Sequence, residues 1–119
     1  MTEIQNSKPF DLEERTQKFA RKTIDYCKTI SKDIAHFEIA KQLIRSCGSV
    51  GANYIEANEA LSRKDFVLRV KICRKEVKES RYWLYLTEPQ DNLLSIKNQL
   101  IQESTELMKI FGAIIEKSK

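Results

Sequence analysis

A chain of 119 residues has the length of one domain, and folding hides roughly two-thirds of the surface it exposes when unfolded, so a core needs neither metal nor disulfides. With 41% hydrophobic and 32% charged residues, 3 Gly and 2 Pro, the composition is that of a helical protein and excludes a sandwich or a disordered tail. The net charge of +4 is concentrated: residues 62–86 carry eight Lys and Arg against Asp65, Glu76 and Glu79, a balance of +5 that leaves −1 elsewhere and favours an acidic partner, nucleic acid or an anionic surface.

Residues 1–10 are polar, end near Pro9, and are expected to form a loose arm ahead of a single domain over residues 11–119. Asp11 starts the first helix, with Glu14 completing an acidic variant of the capping box. Leu12, Thr16, Phe19, Thr23, Tyr26, Cys27 and Ile30 keep helical spacing to about residue 30, and residues 31–35 form the first connection. The second helix covers about residues 36–60 and contains Gly48 and Gly51, each costing about 1 kcal/mol relative to Ala in a helix interior. One reading breaks it there. The favoured one keeps it whole, because Ile39, Leu43, Ser46 or Cys47, Val50 and Tyr54 continue the apolar register across both glycines. The run Ser46, Cys47, Gly48, Ser49, Gly51 and Ala52 then offers a surface of small residues on which another helix can approach closely.

Ser62 with Asp65 forms a second capping box, so the second and third helices make an antiparallel hairpin. At about 100° per residue, Phe66, Val70, Cys73, Val77, Ser80 and Leu84 fall together as the core seam of the third helix. Leu68, Ile72, Trp83 and Leu86 form a second apolar strip, shared with Glu76 and Glu79, that one bundle core cannot also cover. The remaining arc collects Arg63, Lys64, Lys71, Arg74, Lys75, Lys78 and Arg81 with no carboxylate among them. The helix ends near Thr87, ahead of Pro89, and Asp91 is expected to cap the fourth. There Leu93, Leu100, Leu107 and Ile114 repeat every seven residues beside Leu94, Ile101, Met108 and Ile115, a face wider than a two-stranded seam requires. Four long helices with short connections predict an all-α, antiparallel up-down-up-down bundle, and the surplus stripes predict a homo-oligomer.

Three cysteines, Cys27, Cys47 and Cys73, at wide helical spacings argue against a disulfide framework or a zinc site and read as small buried hydrophobes in a reducing compartment. The N-terminal residues lack a basic segment followed by an apolar run, and no run of about 18 apolar residues occurs. A soluble, cytoplasmic protein without membrane association is expected.

Gln42-Leu43-Ile44-Arg45-Ser46, then Gly51-Ala52-Asn53 and Glu56, Asp65-Phe66, Lys75-Glu76, Glu79 and Tyr82-Trp83-Leu84 together resemble the four helix bundle protein family, also called the 23S rRNA intervening-sequence protein or S23-like family. The match spans roughly residues 11–86; the fourth helix matches in character only. The resemblance implies a left-handed antiparallel four-helix bundle assembled into a ring, a pentamer. Family members are encoded within insertions in rRNA genes. A related protein, the accessory variability determinant of diversity-generating retroelements, shares the barrel-like assembly and associates with nucleic acid and a reverse transcriptase. One departure stands out: where the family usually has Gly after an Ala-Glu pair, this chain has Glu56-Ala57-Asn58.

The basic arc suits phosphate contacts, each adding a salt-dependent increment to affinity, while the plain alternative is a solvated face. Tyr82 and Tyr85 project toward the side of Lys78 and Arg81, where rings can stack on unpaired bases or pack in an interface. Arg45, Asn53 and Glu56 are expected to pair structurally. Glu76 with Glu79, or Glu56 with Glu59, lacks the Glu-x-x-His partner of a di-iron site, His36 being the one histidine. Ser46-Cys47-Gly48-Ser49 lacks the strand-elbow setting of a nucleophile, and Gly48 and Gly51 form no phosphate loop. The expectation is a non-enzymatic protein without cofactor or metal, binding RNA or DNA electrostatically; the rival is a scaffold for a protein partner.

Overall fold

The structure, a computed structural model, describes residues 11–119; the arm expected over residues 1–10 lies outside the described residues. Four helices follow one another without strands among the described residues: α1 (Leu12–Cys27), α2 (Ile34–Asn58), α3 (Arg63–Leu86) and α4 (Leu94–Lys117). α2 shares its longest interfaces with α3 and then α1, α4 lies on α3, and α1 touches α4 least.

Local chemistry sets the boundaries. Asp11 Oδ1 accepts the Glu14 N–H at 3.2 Å and Ser62 Oγ accepts that of Asp65 at 3.1 Å, so both expected caps form. α1 stops at Cys27, short of residue 30, because Thr29 Oγ1 donates to the Tyr26 carbonyl at 2.6 Å, occupying the acceptor the next helical N–H would need. Ile30 is nevertheless buried. α2 begins earlier than expected because Asp33 caps it, accepting the His36 N–H at 2.8 Å. It runs unbroken through Gly48 and Gly51, and past Glu56-Ala57 to Asn58. Gly51 is where the small surface is used: a Cβ there would lie 3.0 Å from Thr16 Oγ1, whereas one on Gly48 would meet nothing within 4 Å.

The expected cap of the fourth helix is corrected. Asp91 opens a 3₁₀ turn, Asp91–Leu93, and α4 starts at Leu94 without a side-chain cap. Lys97 Nζ instead holds this connection, donating to the Thr87 carbonyl at 2.7 Å. The twin heptad columns of α4 are also corrected: the face turned inward is Leu100, Ser104, Leu107, Phe111 and Ile115, while Leu94 is exposed. A straight helix turns about 20° per heptad away from a strict seven-residue repeat, so the buried line shifts from one column to its neighbour.

On α3 the seam is as expected, with Val70, Cys73, Val77, Ser80 and Leu84 buried and Phe66 packed at its edge. Pairs across the interfaces run in opposite order of residue number. Ser46 meets Ser80 at 2.8 Å and Asn53 meets Arg69 at 3.0 Å; Arg81 meets Thr105 at 2.9 Å and Arg63 meets Ser118 at 3.3 Å. The register between α3 and α4 brings the start of the basic arc beside the end of α4.

Candidate nucleic-acid interface

Lys71, Arg74, Lys75 and Lys78 line one wall of a groove of about 500 Å³, whose other wall is Ile115, Glu116 and Lys119 at the end of α4. The 3- and 4-residue steps along α3 put all four cations on one face, and Lys119, just past the end of α4, adds a fifth cation. Among the described residues, none of the seven cations of the basic arc forms an ion pair. The single carboxylate of the groove, Glu116, is held by Lys119 at 2.9 Å. That hydrogen bond, followed by the field of Lys119 and then of Arg74, keeps its carboxyl below the usual range. The arc is therefore free of acids along α3 but not in space.

The other three predicted cations are placed differently. Arg63 Nη1 donates to the Ser118 carbonyl at the end of α4, and Lys64 is exposed outside the groove. Arg81 is turned toward α4, with Nε on Thr105 Oγ1 and its Cζ 5.2 Å from the centre of the Tyr85 ring. Tyr82 does not share this arrangement: its ring meets Trp83 edge-on at 5.0 Å. The expectation that both tyrosines accompany Arg81 is corrected to Tyr85 alone. Lys119, Glu116 and Thr105 were absent from the sequence reading. The register of α4 on α3 is what brings them to the arc.

The acidic side of α3 is spent on structure. Arg45 Nη2 reaches Glu79 at 2.6 Å and Glu76 at 3.3 Å, and Trp83 Nε1 donates to the second Glu79 oxygen at 2.9 Å. Hydrogen bonds from Arg45, then from Trp83, hold the Glu79 carboxyl below its ordinary range. Arg45 is half exposed, not buried, while Glu76 is the buried member. Asn53 receives Arg69 and donates to the Ser49 carbonyl at 2.9 Å, which explains why Arg69 stays out of the basic arc. Glu56 lies exposed near the α2–α3 turn.

The candidate nucleophiles are equally committed. Cys47 is fully buried, and burial pushes its thiol up to about 12. Ser46 is buried between Ser80 and the Leu43 carbonyl. His36 is a brace: Nε2 accepts the Glu88 N–H at 3.0 Å and Nδ1 faces Asp33 Oδ2 at 3.0 Å, so it ties the start of α2 to the α3–α4 connection. Among the described residues no three His, Cys, Asp or Glu side chains converge as metal ligands would, and no helix is long and apolar enough to cross a membrane.

A larger cleft of about 690 Å³ lies between α1 and α4, with Tyr26, Leu93, Ile96 and Leu100 among its lining residues. Arg15 is shared there with Glu103 at 2.7 Å and Glu106 at 2.8 Å, and Asp25 with Arg21 and Lys28. Its two carboxylates, Asp25 and Glu103, are both engaged by cations, while Lys18 and Lys22 also line it.

No curated protein matches the chain. Among solved structures, a crystal structure of a protein of unknown function from the S23 ribosomal protein family of Bacteroides thetaiotaomicron is similar, with a TM-score of 0.74 and 31% identity. The match covers 87% of this chain and 96% of that one. The family model described as 23S rRNA-intervening sequence protein matches residues 9–113, nearly the whole helical bundle, and the chain belongs to that family.

Proposed function

We propose that this protein is a non-enzymatic, cofactor-free binder of nucleic acid, RNA or DNA, that acts through the α3–α4 groove by charge with little base preference. The observation that carries the reading is the convergence of Lys71, Arg74, Lys75, Lys78 and Lys119 on one groove whose single carboxylate is already held by Lys119. Cations left without acidic partners at close spacing raise the local potential and exchange counterions for phosphates. The family name, tied to an rRNA insertion, agrees with a nucleic-acid role.

In this reading residues 11–119 are one domain, an antiparallel up-down-up-down bundle. Copies assemble into a ring, a pentamer, in the cytoplasm. Leu68 and Leu86 on α3 and Phe37, Ile44 and Ile55 on α2 are exposed and supply apolar surface for self-association. The same surface favours a second reading, a scaffold for another protein in which the lysines only solvate the assembly.

Titration of labelled RNA and DNA at two salt concentrations tests the proposal. With about four phosphate contacts per protomer on a single strand, log K is expected to fall with log salt at a slope near −3. Absence of binding at low salt, or binding insensitive to salt, overturns it.

A further inference from the structure

We infer that the basic face of α3 is a track for single-stranded nucleic acid, with Tyr85 as a base-stacking platform at its end; this rests on the nucleic-acid reading above. Lys71, Arg74, Lys75 and Lys78 lead along one side of α3 to Arg81 and Tyr85. At 1.5 Å per residue the line from Lys71 to Tyr85 spans about 21 Å, the length of about six phosphates of a stacked strand at ~3.4 Å each.

Arg81 separates this track from a plain patch of charge. A free arginine on such a face would reach outward for phosphate. Here Nε is taken by Thr105 Oγ1 at 2.9 Å, Nη2 leans toward the Tyr85 hydroxyl at 3.4 Å, and the guanidinium lies over the Tyr85 ring. One side of the ring is thereby backed by a cation, while Tyr85 stays 53% exposed. A half-exposed aromatic ring held by a cation suits stacking on a base that has left its duplex, whereas paired bases keep their faces against one another. Arg81 is thus a positioning residue, and Tyr85 makes the contact. Tyr82, turned to Trp83, is outside the track.

The test compares a 20-nucleotide oligouridine, an oligothymidine of the same length and a 20-base-pair duplex, each by fluorescence anisotropy at fixed low salt. Wild type is expected to prefer both single strands to the duplex, and the two strands separate an RNA from a DNA preference. Tyr85→Leu, which keeps apolar bulk but loses the ring, is expected to weaken single-strand binding on the order of tenfold and duplex binding less than twofold. Tyr85→Phe restores the single-strand affinity, and Thr105→Val, which frees Arg81 to reach for phosphate on either ligand, lowers the preference for single strand over duplex severalfold. Equal affinity for strand and duplex, or a Tyr85→Leu effect that is the same for both, overturns the track while leaving the electrostatic reading in place. Failure of wild type to bind any of the three overturns both.

Discussion

The two long edges of α3 treat charge in opposite ways. On the edge shared with Leu68 and Trp83, Arg45 claims both Glu76 and Glu79, and the indole N–H donates to Glu79 as well. On the other, four cations that form no ion pair among the described residues face a groove whose one carboxylate, Glu116, is occupied by Lys119. Carboxylates already paired within the bundle, one of them buried, have their charge spent on the fold; an unneutralised row keeps its field for something outside the bundle. Charge alone is therefore a poor guide to function. What distinguishes the edges is whether the fold has already used it.

Variants at the two edges separate the roles. The largest effect is expected from Lys71→Glu combined with Lys75→Glu, which puts repulsion where phosphates would sit: nucleic-acid affinity at low salt drops on the order of 100-fold. Stability stays within about 0.5 kcal/mol, as for other exposed substitutions. A large loss of stability in urea titration would mean that these lysines serve the fold, and the comparison would fail.

Arg45→Ala should do the reverse. It leaves Glu76 buried without its partner, costing about 1–2 kcal/mol, while affinity for nucleic acid is unchanged in the same anisotropy assay. Gly112 offers a subtler division, since a Cβ there would sit 3.8 Å from Arg74 Nε. Gly112→Leu is expected to displace Arg74 and weaken binding severalfold, yet to raise stability by about 0.5 kcal/mol because Gly is a poor residue inside a helix. Gly112→Ala keeps the gain and spares the binding.

The smallest expected effect is in acid. Asp33 is held down to about 2, first by the His36 backbone N–H and then by the His36 side chain, and Glu79 is held below its ordinary value by Arg45. Both carboxyls bind protons more weakly folded than unfolded. Their contribution to stability is present above about pH 4.5 and drains away as pH falls toward 2. Thermal melts between those limits should show the decline, and Arg45→Ala should flatten the part due to Glu79. A melting temperature that rises on acidification would contradict the pairing.

How much of this was legible without coordinates differs by element. The α3 seam and the continuity of α2 follow from spacing, because burial of one helix face writes a 3.6-residue period into the chain. The small residues of α2 were readable as a close-approach surface, but only packing showed that Gly51, and not Gly48, meets α1. Asp91 misled because an acid ahead of an apolar run resembles a cap, yet a 3₁₀ turn intervenes. Ser104 and Phe111, absent from the two heptad columns, lie on the inward line of α4, since a strict seven-residue count drifts against the real helix.

The candidate site shows the same division. Lys71, Arg74, Lys75 and Lys78 were found in sequence because they share one helix, and intrahelical geometry is periodic. Lys119, Glu116 and Thr105 lie 24 to 48 residues away along the chain from Arg81, Lys78 and Lys71, and no local period reaches that far. Sequence alone determined which faces are apolar, which is basic, and to which family the pattern belongs. Tertiary structure decided which charges remain unspent, because the register of one helix against another depends on how whole faces interlock and not on any residue's own preference.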